Sequence, residues 1–203
     1  MGNSDRPGEV LRFWFAETSR NAFEVDSRMA LWFGDERQLA ATIREQFLDD
    51  VERASRGELD HWSEHPRSRL ALILLLDRFR RTLHHGTRAA FAKDHDALRL
   101  AVHGIERKHD RELGAVERAF FYMPLQSSES LKVQEFSVRI FSSLLRSVDP
   151  SCQATFQTFL DFAELHRDIV RQFGRFPHRN KTLGRADTAE EKAYLGSDLR
   201  GFG

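Results

Sequence analysis

Seven consecutive apolar residues, Leu70 to Leu76, set the tightest constraint on how this chain folds. A segment that is apolar on every side has no face to show to water, so the rest of the fold must be built around it. Pro66 ahead suits a first helical turn, and Asp77-Arg78-Phe79 behind ends the apolar run. These flanks favour a helix buried all round. A run of this length fits a buried strand by period as well, so the strand alternative stays open.

Elsewhere the periodicity is helical. Pro7 opens a segment in which Val10, Leu11, Trp14 and Phe15 recur at helical spacing. Leu39, Ile43, Phe47, Val51 and Ala54 follow Asp35 as an N-cap, and Gly57 stops that helix. A single helix is expected over Ala89–Ile105, with Phe91, Leu98, Ala101, Val102 and Ile105 inward. Another is expected over Glu112–Met123, stopped by Pro124. Ser128 is the expected cap of a long helix whose inner face is Leu131, Phe136, Ile140, Leu144 and Leu145. Asp149-Pro150 starts the next, with Phe156, Phe159, Leu160, Ala163, Ile169, Val170 and Phe173 inside. Thr188-Ala189-Glu190-Glu191 is a capping box for a last helix closed by Gly196. No hairpin signature interrupts this pattern. The expected fold is all-α, built of antiparallel helix pairs in one domain over residues 1–203, with a short flexible start at residues 1–6.

Composition narrows the functional classes. Seventeen Phe against two Tyr describe a core built on aromatic rings with few hydroxyls to satisfy. The formal net charge is zero, so no long-range field draws nucleic acid or an anionic membrane. Cys152 is the single cysteine, which excludes an intramolecular disulfide and a Cys-based zinc site. The first residues lack an apolar signal core, Arg6 spoils a myristoylation pattern, and the apolar run is too short to span a bilayer. A cytoplasmic protein without a cofactor is expected.

The run Phe173-Gly174-Arg175-Phe176-Pro177-His178-Arg179-Asn180 has neither helical nor strand period and is the first candidate site. Gly174 suits the left-handed residue that ends a helix, and Phe176-Pro177 imposes an extended backbone. Arg175, His178, Arg179 and Asn180, with Arg185 beyond, could gather around a carboxylate or phosphate. They could equally form a hydrogen-bonded knot that locks the chain end. His166 lies on the apolar stripe shared by Phe159 and Phe173; it is either a buried neutral imidazole or, with His178, an acid–base group. Glu129 complements a helix N-terminus, and otherwise would serve Arg175 or Arg179 as partner or act as a general base. Asp77 with Arg78 reads as an ion pair at a helix end or as pocket lining.

Two motifs carry less. His61-Trp62-Ser63-Glu64-His65 matches an inverted zinc-protease pattern, but Pro66 pulls His65 out of helical geometry, so no metal is assigned. The basic run Arg78-Phe79-Arg80-Arg81, with Arg88, reads as solvated surface rather than a nucleic-acid interface.

Val10-Leu11-Arg12-Phe13-Trp14-Phe15, Arg69 to Asp77, Ala90-Phe91-Ala92-Lys93-Asp94, Phe121-Tyr122-Met123-Pro124-Leu125, Phe173 to Asn180 and Leu183-Gly184-Arg185 together resemble a bacterial family known as domain of unknown function 924. The resemblance covers almost the whole chain and implies a tetratricopeptide-like helical fold in a single domain. It implies no activity, substrate or cofactor. The family pattern expects a proline where this chain has Arg80, a histidine at Ser127 and an acid at Ser130. Three readings follow. The first is a helical scaffold binding a small anionic molecule or a peptide beside Arg175, His178, Arg179, Asn180, Arg185 and Asp77. The second is a hydrolase or transferase using His178 or His166, with Glu129 as a further candidate and Arg175 and Arg179 as an anion clamp. The third gives the same residues a purely structural role.

Overall fold

The computed structural model describes residues 5–16, 28, 32 and 36–196, and among these the chain is all-α with no strand. Helix α1 spans Arg6–Phe15, with Pro7 in its first turn and the Asp5 side chain accepting from the Gly8 N–H at 3.1 Å. Of residues 1–6, expected as a flexible start, residues 1–4 lie outside the described residues. Arg6 reaches across to Asp50 at 2.9 Å and lies over the Phe47 ring, tying α1 to helix α2, Glu36–Ser55. The N-cap expected at Asp35 lies outside the described residues. Gly57 does end this region, in the left-handed conformation.

The central run is helical, which removes the strand alternative. Helix α3, Pro66–Leu74, passes into a π turn, Leu75–Phe79, and then into helix α4, Arg80–Leu83. Leu70 to Leu75 are at most 1% exposed, so the segment is enclosed on all sides as its composition requires. No turn occurs at Arg80; its backbone N–H donates to the Leu75 carbonyl, a bond that a proline there could not make. Around this axis, Trp14 meets Phe79 and Phe120 with ring centroids 5.4 and 5.6 Å away, and Trp32 packs on Phe120 at 4.6 Å. Tyr122 is fully buried and its hydroxyl donates to Asp110 at 2.6 Å, which satisfies a polar group inside an otherwise apolar layer.

The single helix expected over Ala89–Ile105 is divided into a 3-10 turn, Arg88–Phe91, and helix α5, Asp94–Glu106. The break puts Asp94 at a helix start rather than mid-helix. Helix α6, Ala115–Gln126, begins later than expected and runs through Pro124. A proline in a last turn forfeits one hydrogen bond, and the carbonyls beyond it are held from the next helix. Gln134, fully buried, donates to the Gln126 and Ser128 carbonyls at 2.9 and 2.6 Å. That next helix, α7, Leu131–Ser147, has Ser130 rather than Ser128 at its cap position; Ser128 Oγ accepts from the Ser130 N–H instead. Its most buried residues are Gln134, Ser137, Phe141 and Leu144, while Leu131 is exposed.

Asp149 and Pro150 lead through a short 3-10 turn into helix α8, Gln153–Phe173, which packs along α7. Gly174 ends α8 with φ of 70°, donating its N–H to the Val170 carbonyl. Helix α9, Asn180–Leu183, and helix α10, Ala189–Gly196, are the last described elements, α10 opened by the reciprocal Thr188–Glu191 capping box.

Gly104 marks where α5 meets the core most closely. A Cβ there would lie 2.4 Å from Phe121 and 2.7 Å from the Arg69 stem, so only glycine lets the two helices and that side chain coexist. Gly104→Ala is expected to destabilise the protein by about 1–3 kcal/mol, as overpacking does. An unchanged denaturant midpoint would show instead that Phe121 and Arg69 have room to retreat.

Candidate functional site

The segment after Gly174 folds back because its own composition gives it a place to dock. Phe176 is extended ahead of Pro177 and is buried at 1% exposure. Pro177–Arg179 then makes a 3-10 turn that runs into α9. Glu129, three residues past the α6 end, accepts the Phe176 N–H at 2.8 Å and pairs through both oxygens with Arg185, at 2.7 and 2.9 Å. Burial acts to raise the Glu129 carboxyl, but the Arg185 and Phe176 hydrogen bonds outweigh it and hold the group below the usual carboxylate range. Its partner is thus Arg185, not Arg175 or Arg179.

Arg175 is engaged elsewhere. It pairs with Glu191 at 2.6 and 2.7 Å and donates to the Ala186 carbonyl. Glu191 is 1% exposed, and the Arg175 hydrogen bonds together with the Thr188 N–H hold its carboxyl at about 2. Asn180, fully buried, donates to Asp187 at 2.7 Å and accepts from Arg185 at 2.8 Å. Arg175, Asn180, Arg185, Glu129 and Glu191 therefore form one charge-matched network that fastens α9 and α10 to the α6–α7 corner.

Arg179 points the other way, into the protein. Its guanidinium lies between the Phe91 and Phe176 rings, 4.7 and 4.6 Å from their centroids. One nitrogen donates to the Ser127 carbonyl at 3.0 Å and meets Asp94 at 3.2 Å. The other Asp94 oxygen accepts from Arg81 at 2.8 Å, and Arg81 also reaches Asp77 at 3.1 Å and the Ser127 hydroxyl at 3.4 Å. Asp77 hence pairs with Arg81 one turn on, not with Arg78, whose guanidinium donates to the Trp32 carbonyl and lies over Trp14. The basic run is not solvated surface either. Arg80 is 9% exposed and spans Ala89 and Ser55, because the enclosed helix carries its C-terminal flank inward with it.

This centre has unusual electrostatics. Burial and the neighbouring Asp77 lift the Asp94 carboxyl to about 6, although Arg81 and Arg179 pull it down. Burial and the nearby Arg81 lower Arg179 to about 10, so it stays charged at neutral pH. His166 and His178 both lie against the Phe176 ring, at 5.3 and 5.5 Å. Burial, with Arg179 and Arg81 adding repulsion, holds both imidazoles down at about 4, and His166 Nδ1 meets the Gln126 carbonyl at 3.1 Å. Both are neutral at pH 7.

The sequence-selected residues thus separate. Arg179, Asp77, His178 and His166 come together around Asp94 and Arg81, which the sequence reading did not select. Arg175, Asn180, Arg185 and Glu129 belong to the fastening network. Asp94 carries no motif beyond the segment Ala90 to Asp94, and Arg81 hides in a run that reads as surface. Ser127, where the family pattern expects histidine, lies within the centre, and Ser130 lies at the α7 cap. Among the described residues no group of His, Cys, Asp and Glu is placed to hold a metal ion. His65 is extended, as Pro66 dictates. No described helix is long and apolar enough to cross a membrane.

The chain matches the family described as a bacterial protein of unknown function (DUF924) over residues 10–198. It is also similar to the solved structure of a protein of unknown function, ATU0120, from Agrobacterium tumefaciens. The two are 33% identical, with 96% of this chain and 99% of that chain covered and a TM-score of 0.80. No curated protein matches.

Two outcomes follow from the geometry. Because His166 and His178 are neutral when folded, the unfolded chain takes up their protons first as pH falls from 6.5 towards 4, and stability drops in that window. Asp94 acts oppositely, since between about 6 and 4 the folded form gains the proton first. Melting temperatures from pH 7 to 4.5 should fall less steeply in His166→Gln and more steeply in Asp94→Asn than in the parent. Arg175→Ala should speed hydrogen exchange in α10 while leaving α6 and α7 protected; uniform loosening would mean the network is not local.

Proposed function

The chain belongs to the bacterial DUF924 family, and since membership brings no activity to inherit, we propose that the protein binds a small anionic molecule at the Arg81–Arg179 pair. The observation that carries this reading is the geometry at Asp94, whose two oxygens are shared between these guanidiniums, with burial lifting the carboxyl to about 6. A buried and a half-buried arginine with a counter-ion that protonates readily make a site where an incoming carboxylate or phosphate replaces the internal one. Arg81 and Asp94 keep 22% and 17% of their side chains exposed, so the Arg81 edge of the centre touches solvent. The flat faces of Phe91 and Phe176 fix the Arg179 plane, and a fixed fork suits oxyanion recognition. Stacked helix pairs of a tetratricopeptide-like scaffold in the cytoplasm are the setting of this reading.

Binding is then linked to a proton. An anion on the arginines favours neutral Asp94, so affinity rises as pH falls from 7.5 to 5.5. Asp94→Asn, which imitates the neutral form, should tighten binding of inorganic phosphate or a dicarboxylate by roughly tenfold, about 1.4 kcal/mol. Arg81→Gln should weaken it by a similar factor. At a hundred times the dissociation constant the ligand stabilises by about 2.7 kcal/mol, within reach of a thermal melt. An affinity indifferent to Asp94→Asn and to pH would overturn the assignment.

The same carboxyl favours a second reading, an enzyme in which Asp94 rather than His178 or His166 moves the proton. A group near 6 is poised for acid–base work at neutral pH, whereas imidazoles near 4 are weak bases. The two readings part on one variant: Asp94→Asn gains affinity under the first and loses all turnover under the second.

A further inference from the structure

At the opposite end of the enclosed helix, Arg69 is 1% exposed and lies in the wall of a cavity of about 560 Å³. Its guanidinium donates to the Ser63 carbonyl, to the Leu100 carbonyl at 3.0 Å and to His109 Nδ1 at 3.2 Å. No carboxylate pairs with it among the described residues, and the charged group that weighs on it most is Arg107, of the same sign. A buried guanidinium without a counter-ion is costly, and carbonyl dipoles offset only part of that cost. The cavity rim adds Arg56, Lys93 and Arg99, against the acids Asp60 and Asp96. Asp96 is already matched by Lys93 at 3.1 Å and Arg99 at 3.5 Å, and Arg56 is held by Glu58 at the surface. The lining therefore keeps an excess of positive charge, with Arg69 at its most buried point.

We infer that this cavity binds a metabolite-sized molecule bearing a multiply charged oxyanion, a phosphate ester or a polycarboxylate, whose anionic end supplies the counter-charge that Arg69 lacks. The volume exceeds what a single inorganic ion fills and falls in the range typical of small-molecule sites. Ala54, Gly57 and Leu76 provide uncharged wall for the remainder of such a molecule. The site is separate from the Arg81–Arg179 centre, none of whose residues lines it. Neither assignment depends on the other.

The test is calorimetric titration of the full chain with pyrophosphate and, in parallel, with citrate, which separates the phosphate and carboxylate sources. Arg56→Glu/Arg99→Glu reverses two rim charges on side chains that are 55% and 68% exposed, so folding is spared. Arg139→Glu/Arg146→Glu makes the same change in net charge on the exposed face of α7. One of the probes is expected to bind, with affinity at least tenfold weaker in the rim variant and unaltered in the α7 variant. Absence of heat from both probes, equal weakening by the two variants, or binding that responds to Asp94→Asn and not to the rim would each overturn the inference.

Discussion

Enclosing Leu70 to Leu76 on every side imposes the condition that the rest of this molecule answers. A helix cannot surface within one residue of its apolar run, so the charged groups that flank it are drawn inside as well. At one end this traps Arg69; at the other it traps Asp77, Arg80 and Arg81. Each buried charge needs a partner or a dense set of dipoles. The protein meets that need differently from one arginine to the next. Arg69 takes carbonyls and a histidine nitrogen, and Arg80 a carbonyl and a serine hydroxyl, whereas Arg81 takes carboxylates.

The partners of Arg81 come from distant parts of the chain. Asp94 is supplied by the break before α5, Ser127 by the end of α6, and Arg179 by the folded-back segment after α8. Arg179 can be delivered there only because its neighbours in sequence are held elsewhere. Arg175 is taken by Glu191, Arg185 by Glu129, and Asn180 by Asp187. Fastening and the buried charge centre are thus divided among residues a few positions apart. The charge-matched pairs do the fastening and leave one arginine for the interior.

The helical layout was legible because its cause is local. Spacing of apolar residues placed α1, α2, α7 and α8, and the Thr188–Glu191 box, Gly57 and Gly174 marked termini through side-chain and backbone geometry available in a few residues. Pro124 misled because its cost depends on what lies beyond it, and Gln134 from the next helix holds those carbonyls. Ala89–Ile105 misled because the apolar period continues across a turn. The basic run misled most. Charge density suggests solvent, and nothing within Arg78 to Arg81 reveals that the helix before it is enclosed.

By itself the sequence determined that this is an all-helical chain, with a buried axis and an irregular polar segment near its end. Those are properties of period, capping and composition, which short windows carry. Tertiary structure alone decided which arginine meets which acid, and so which charges cancel and which stay available. Pairing energy depends on distance and burial rather than on order along the chain, and residues as far apart as Asp77, Asp94 and Arg179 share one dielectric environment only after the helices pack.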